Sequence, residues 1–225
     1  MTSKAWINFI AKLIPSRVLS LQARKPTGII GRYLMKKIFN NLNADLYLFV
    51  KEILDIQRED RVLEIGFGSG KLINEMANIT TEGAVEGIDF SQAMLEQASK
   101  TNKQHILEGK VRLQKRECSV LPFDNESFDK LCSLNTLYFW KDPNKYFVEM
   151  FRVLKPGGKI VIGFRDDKQM STLNLSEDIF TLYSQNNVVN LLSEAGFSGG
   201  HIEKKEGKPF LSYCAVATKH VGEQR

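Results

Sequence analysis

The sequence predicts an α/β fold: a doubly wound, mostly parallel sheet preceded by an N-terminal helical extension. Strand-like and helix-like patterns alternate from Arg61 onward, the arrangement that builds parallel strands joined by covering helices. An apolar run, Val62-Leu63-Glu64-Ile65, passes directly into three alternate glycines at 66, 68 and 70 and then into a helical pattern. A second apolar run ends at Asp89, about one helix and one strand beyond the glycine turn. At 225 residues the chain suits one domain with a full core and a modest extension, divided at 1–57 and 58–225.

The glycine turn is the first candidate site. Glycine lets the backbone take positive φ and lets a ligand approach without a Cβ in the way, while the helix that follows offers unpaired N–H groups. The dinucleotide fingerprint G-x-G-x-x-G needs its third glycine at position 71, where this chain has Lys71, so a nicotinamide or flavin cofactor is disfavoured. A tight strand-to-helix turn that binds nothing is the alternative.

Lys71 to Ile79 reads as a helix and Ala84 to Ile88 as a strand ending at Asp89. Ligands in an open parallel sheet lie beyond the strands' C-terminal ends, where a carboxylate can accept hydrogen bonds from two vicinal ribose hydroxyls. Ser91 is placed to cap the next helix, with Met94, Leu95 and Ala98 on its buried side. A third strand, Val111 to Lys115, leads to Arg116-Glu117-Cys118-Ser119-Val120-Leu121-Pro122-Phe123. The fourth, Phe128 to Leu134, ends at Asn135-Thr136-Leu137-Tyr138-Phe139-Trp140, again in the crevice. The aromatic trio either lines an apolar acceptor pocket or forms core, and both readings are open. Arg152-Val153-Leu154-Lys155-Pro156-Gly157-Gly158 reads as a helix ended by Pro156 and a glycine turn before strand five. A helix from Asn187 to Ala195 and strands near His201 to Lys205 and Leu211 to Thr218 complete the chain.

These segments together resemble class I S-adenosylmethionine-dependent methyltransferases, in the branch that acts on quinones, sterols and small metabolites. Glu64-x-Gly66-x-Gly68-x-Gly70 is similar to the family's first motif, Asp89 to Ala98 to its D-x-S-x-x-M-L-x-x-A pattern, and Leu121-Pro122-Phe123 and Arg152 to Gly158 to two later ones. The resemblance covers about residue 60 to the C-terminus and implies a Rossmann-like sheet whose last strand is antiparallel. It implies S-adenosylmethionine as cofactor and methyl transfer to a small-molecule or lipid-like acceptor. Glu64, Gly66, Gly68 and Gly70 then shape the methionine pocket, Asp89 holds the ribose, Phe90 packs on adenine, and Asn135 borders the reactive centre. Phe67, Ser69, Ser91 and Met94 complete the implied cofactor set from within the same motifs. Glu117 and Cys118 border the adenine edge, although the family has aspartate and a small residue at these positions. A nucleic-acid methyltransferase and a cofactor-binding member without turnover are the alternative functions.

No base is assigned by sequence; Asp142, Asp166 and Tyr138 are candidates by position only. A positioned displacement at an activated methyl carbon does not require one. None of the three histidines lies in a motif, and no cluster has metal-ligand spacing, so no metal is expected. Cys118 reads as a nucleophile or as a small packed residue. With Cys132 and Cys214 it is too isolated for a disulfide framework, which points to a reducing cytoplasm.

The formal charge of +5 is unevenly spread. Residues 1–44 hold eight Lys or Arg and no Asp or Glu, leaving 23 basic against 26 acidic residues in the remainder. Trp6, Phe9, Ile10, Leu13 and Ile14 recur at helical spacing until Pro15. Such a segment reads as a lid over the cofactor, as a contact of residues 1–20 with an anionic membrane surface, or as a targeting leader. Leu21 to Arg32 reads as a basic loop whose Arg24, Lys25 and Arg32 either bind an acidic group or form a solvated edge, and Tyr33 to Phe39 as helix. Few aromatics interleave the basic residues, which disfavours nucleic acid. The number of subunits is not legible.

Overall fold

The computed structural model describes residues 15–26, 28, 43–173, 175–207 and 210–220. The expected helices over 6–14 and Tyr33 to Phe39 lie outside the described residues. Among the described residues, the helices α1 (Ser16–Arg24) and α2 (Ala44–Leu54) precede β1 (Arg61–Ile65). Then follow α3 (Lys71–Ala77), β2 (Ala84–Asp89), α4 (Gln92–Thr101), α5 (Lys103–Leu107), β3 (Val111–Lys115), β4 (Phe128–Leu134) and a 3₁₀ turn at Leu137–Phe139. The chain continues through α6 (Pro143–Val153), β5 (Leu154–Phe164), α7 (Asp167–Met170), α8 (Gln185–Glu194), β6 (Ser198–Lys205) and β7 (Ser212–Thr218).

The seven strands lie in the order β3-β2-β1-β4-β5-β7-β6. β1 to β5 pair in parallel, and the chain's last strand, β7, runs antiparallel between β5 and β6, as expected. The strand order reverses between β1 and β4, so the crevice of the sheet opens beyond their C-terminal ends.

Alternate residues of the strands feed two cores. Leu63 and Ile65 face one with Phe128, Phe147 and Leu192; Val62 faces the other with Leu46, Val50 and Leu72. The helix α2, within the stretch assigned to the extension, buries Leu46, Val50 and Leu54 completely. Each such side chain stabilises the fold by roughly 1.5–3 kcal/mol, so α2 is bound firmly to the sheet.

Two local expectations are corrected. Leu21 to Arg24 are helical rather than loop, because Pro15 sits just ahead of α1, where its fixed φ starts a helix as readily as it ends the preceding pattern. The α6 helix stops at Val153, not at Pro156: Leu154 already pairs with Phe128, and the register shifts before Lys130 meets Lys159. Lys155 to Gly158 are thereby absorbed into β5, where the Gly157 N–H donates to the Lys219 carbonyl at 2.7 Å.

Candidate functional site

The three alternate glycines serve different purposes. A Cβ on Gly66, at φ 79°, would overlap the Thr136 methyl group at the end of β4, so this glycine lets β1 and β4 close together. A Cβ on Gly70 would lie 2.6 Å from both Ala98 Cβ and Asn102 Nδ2, so this one seats α3 against α4. Asn102, fully buried, donates to the carbonyls of Gly70 and Ala98 at 2.9 Å each and fixes the loop from below. Gly68, at φ 50°, has open space on its Cβ side and presents bare backbone to the crevice.

Beside that bare backbone stand two buried acids. Asp89 accepts hydrogen bonds from the Gly68 N–H at 3.0 Å and the Ser91 N–H at 2.8 Å, one on each oxygen. Burial raises its pKa, and the two N–H groups oppose that rise. Ser91 also caps α4 through Met94 N. Glu64 is 2% exposed, and its Oε2 has no hydrogen-bond partner among the described residues. Burial first, then the neighbouring Asp89 charge, holds its carboxyl well above the usual 4.5. An open backbone edge, a polar carboxylate at the strand end and an unsatisfied buried acceptor together fit a ligand that carries hydroxyls and a cationic donor.

The remaining expected cofactor residues divide by orientation. The Phe67 ring is buried, and Gly87 has no Cβ because one would lie 2.7 Å from it; only the backbone of Phe67 belongs to the loop. Ser69 is partly buried between Gly68 and Gly70, and Met94 packs against the α3 side of the core. Phe90 is half-buried, with the Arg24 guanidinium 6.0 Å from its ring centroid. Glu117 is exposed, while Cys118 is buried beside it. Burial, with the charges of Glu117 and Asp89, pushes the Cys118 thiol up, so it stays protonated and belongs with the packed residues rather than the nucleophiles.

Across the crevice, Asn135 takes φ 52°, a left-handed conformation that asparagine tolerates better than most residues. Its Nδ2 donates to Asn43 Oδ1 at 3.0 Å, and its Oδ1 accepts from the Tyr138 hydroxyl at 3.2 Å. Tyr138 OH also accepts from the Arg165 N–H at 2.6 Å and lies 3.1 Å from the Arg165 carbonyl. Its pKa is pushed up by burial, so this hydroxyl is a fixed donor rather than a base. The other two positional candidates are helix caps: Asp142 accepts from Lys145 N, and Asp166 accepts from Gln169 N and Gln185 Nε2. Of the aromatic trio, Tyr138 and Trp140 are core, the latter stacked on Tyr146 at 5.1 Å; Phe139 is partly exposed at the rim against Phe180.

The rim is bridged by α1. Arg17 pairs with Asp178 at 3.0 Å, the fully buried Ser20 accepts from the Ser176 N–H at 3.0 Å, and Arg24 reaches Phe90. Sequence reasoning missed Ser20, Asn43, Asn102 and Thr136, each of which acts through a partner far away in the chain. Only Asn43 carried a local signal, as an asparagine just ahead of a helical pattern.

Comparison with known proteins identifies the family. Residues 63–162 match the model of a methyltransferase domain. An uncharacterized methyltransferase of Bacillus subtilis, YdaC, is 32% identical over 166 residues, covering 74% of this chain and 87% of that protein. The chain belongs to the S-adenosylmethionine-dependent methyltransferase family. The ubiquinone/menaquinone biosynthesis C-methyltransferase UbiE of Geotalea daltonii is 33% identical to this methyltransferase over 103 residues, 45% of the chain and 44% of that relative. The S-adenosylmethionine-dependent methyltransferase of Aquifex aeolicus shares the fold, with a TM-score of 0.68 at 20% identity over 84% of this chain and 98% of that one. The enzyme's cofactor is S-adenosylmethionine. Among the described residues there is no cluster that could hold a metal ion and no helix long and apolar enough to cross a membrane.

Proposed function

We propose that this methyltransferase acts on a small-molecule or lipid-like acceptor at the crevice between β1 and β4. The observation that carries the placement is the meeting of bare Gly68 backbone, Asp89 and the unsatisfied Glu64 carboxylate at the strand ends. In this reading Glu64, Gly66, Gly68, Ser69 and Gly70 hold the cofactor's amino-acid end, with Phe67 contributing backbone. Asp89 accepts from the ribose, Ser91 and Met94 form the floor, and Phe90 packs on adenine beside Cys118 and Glu117. Asn135 borders the reacting centre.

The cofactor supplies a methyl group already activated for displacement. The chain's residues bind, orient and exclude water: α1 bridges the rim, and Asn135 and Tyr138 hold the far wall rigid. With Asp142 and Asp166 committed to helix caps and Tyr138 held protonated, positioning supplies the acceleration. The quinone-biosynthesis relative supports a small, apolar acceptor, as does Phe139 at the rim. We further assign residues 58–225 to the methyltransferase unit and 1–57 to its helical extension. The basic, acid-free composition of residues 1–44 supports contact of residues 1–20 with an anionic membrane surface through the same extension.

Calorimetry tests the cofactor site, and an acceptor panel read by mass spectrometry tests the substrate. S-adenosylhomocysteine is expected to bind, and NAD or FAD binding of equal strength would overturn the placement. Methylation of oligonucleotides in preference to quinone, phenolic or macrolide acceptors would overturn the substrate class.

A further inference from the structure

The α1 helix has two faces, and the fold uses one of them. On the inner face Ser20 is fully buried against the Ser176 N–H, Ala23 packs on the core, and Arg24 reaches Phe90. On the outer face Val18 and Leu21, one turn apart, are 47% and 46% exposed. Arg17 and Lys25, both exposed, stand before and beyond them.

A single exposed apolar side chain is ordinary, so the neighbours decide what this face is for. Among the described residues four other large apolar side chains are exposed: Leu48 on α2, Leu107 on α5, Val120 after β3 and Val148 on α6. Each stands alone on its element and has an acid within four positions: Asp45 and Glu52 for Leu48, Glu108 for Leu107, Glu117 for Val120 and Glu149 for Val148. No acid occurs anywhere in residues 1–44, whose eight Lys or Arg include Arg17, Arg24 and Lys25. The segment on which α1 docks contributes two acids, Glu177 and Asp178, and Arg17 holds the second.

Among the described residues α1 alone therefore joins an exposed apolar strip to cationic neighbours. That combination fits the headgroup layer of an anionic bilayer, where apolar side chains enter the acyl boundary and basic ones meet lipid phosphates. A free polyanion would meet the cations but leave Val18 and Leu21 in water. The strip also adjoins the crevice mouth. The segment that holds α1 through Ser176 and Asp178 runs into Phe180, which packs at 4.7 Å on Phe139, the partly exposed aromatic at the rim.

We propose that the outer face of α1, with Val18 and Leu21 as apolar anchors, seats on an anionic membrane surface and brings the crevice mouth to the lipid. This rests on the reading of a lipid-like acceptor and deepens it, by naming the side chains that make the contact on a helix whose inner face bridges the rim. An acceptor dissolved in the bilayer then reaches the crevice without crossing bulk water.

The test is cosedimentation of the full chain with phosphatidylcholine vesicles, with and without about 30 mol% phosphatidylglycerol. Wild type is expected to bind the anionic vesicles about tenfold or more tightly than the neutral ones, and to lose most of that preference between about 50 and about 500 mM salt. Val18→Asp/Leu21→Asp, which places carboxylates on a face that is already exposed, is expected to weaken anionic-vesicle binding about tenfold or more, while S-adenosylhomocysteine affinity stays within about twofold. Unchanged vesicle binding in that variant, or equal binding of wild type to both vesicles, overturns the proposal. A second measurement does not depend on a loss: Cys118, Cys132 and Cys214 are buried, so the thiol introduced by Leu21→Cys can be labelled with an environment-sensitive fluorophore. Its emission is expected to shift to the blue on anionic vesicles, and vesicle binding without a shift overturns the seat by assigning the contact to another part of the chain. Neither measurement needs an acceptor. An acceptor panel that returned only hydrophilic compounds would overturn the lipid-like reading and leave the seat standing on its own result.

Discussion

On the β1–β2 side of the crevice, most groups meet through backbone: the Gly66 N–H on the Ile88 carbonyl at 2.6 Å, the Gly68 N–H on Asp89 at 3.0 Å, the Ser91 N–H on the same carboxylate. On the β4–β5 side they meet chiefly through side chains, Asn43 to Asn135 to Tyr138. The first wall therefore demands glycines and one acid at fixed spacing and tolerates variation elsewhere. The second demands particular amides and hydroxyls scattered over the chain, and it meets the first where Thr136 closes on Gly66.

Breaking the backbone wall is expected to have the largest effect. Gly66→Ala places a methyl group against Thr136 at positive φ, combining overpacking of about 1–3 kcal/mol with a left-handed penalty of about 1–2 kcal/mol. The melting temperature is expected to fall by on the order of 10 °C. Adding Thr136→Ser, which removes the methyl and keeps the hydroxyl that meets Ser133, is expected to recover the steric share only. No recovery would mean that the two walls do not touch through this contact.

Next in size is Asp89→Ala, with a loss of S-adenosylhomocysteine affinity of about 10–100-fold for each hydrogen bond removed. Exposed Glu117→Ala is expected to stay within about twofold, and a larger effect from Glu117 would shift the adenine edge outward. Calorimetry reads both.

Glu64→Gln sharpens the electrostatic side of the comparison. Because the folded carboxyl titrates well above 4.5, the native state holds a proton that the unfolded chain has lost, and stability falls as pH rises from 4.5 through the folded value. Without cofactor, the glutamine variant is expected to match wild type near pH 4 and to melt a few degrees higher by pH 8. Identical profiles would show that Glu64 has a donor in solution.

The smallest effect is expected at the rim. Arg17→Ala removes an ion pair whose side chains are 71% and 51% exposed, a change of less than about 1 kcal/mol in thermal denaturation. Deleting residues 1–20, by contrast, is expected to leave a folded, cofactor-binding protein with reduced turnover. Unchanged turnover would remove α1 from the working enzyme.

The backbone wall was legible in the sequence because its determinants are local: three glycines, Glu64 and Asp89 lie within two turns and the elements that join them. The strand succession was legible for the same reason, from alternating periodicity. Asn102 under Gly70, Thr136 against Gly66 and Ser20 beneath Ser176 were not, since each is defined by a partner that only the folded chain supplies. The motif at Lys155 to Gly158 was found but its boundary misplaced: proline and glycine announce a break, while strand pairing decided that it fell at Val153. Phe67 was recognised as part of the loop, but its ring direction was set by the space above Gly87.

The bond between Ser20 and the Ser176 amide joins positions 156 residues apart, and the Arg17–Asp178 pair spans 161. During synthesis, α1 emerges long before its dock exists, and it cannot settle until the strands from β1 to β5 have formed and the segment after α7 has been made. Long loop closures of this kind are slow and come late in folding. The rim is thus the last part of the crevice to close, and a chain arrested before Ser176 would hold the glycine loop and Asp89 with α1 still unmoored.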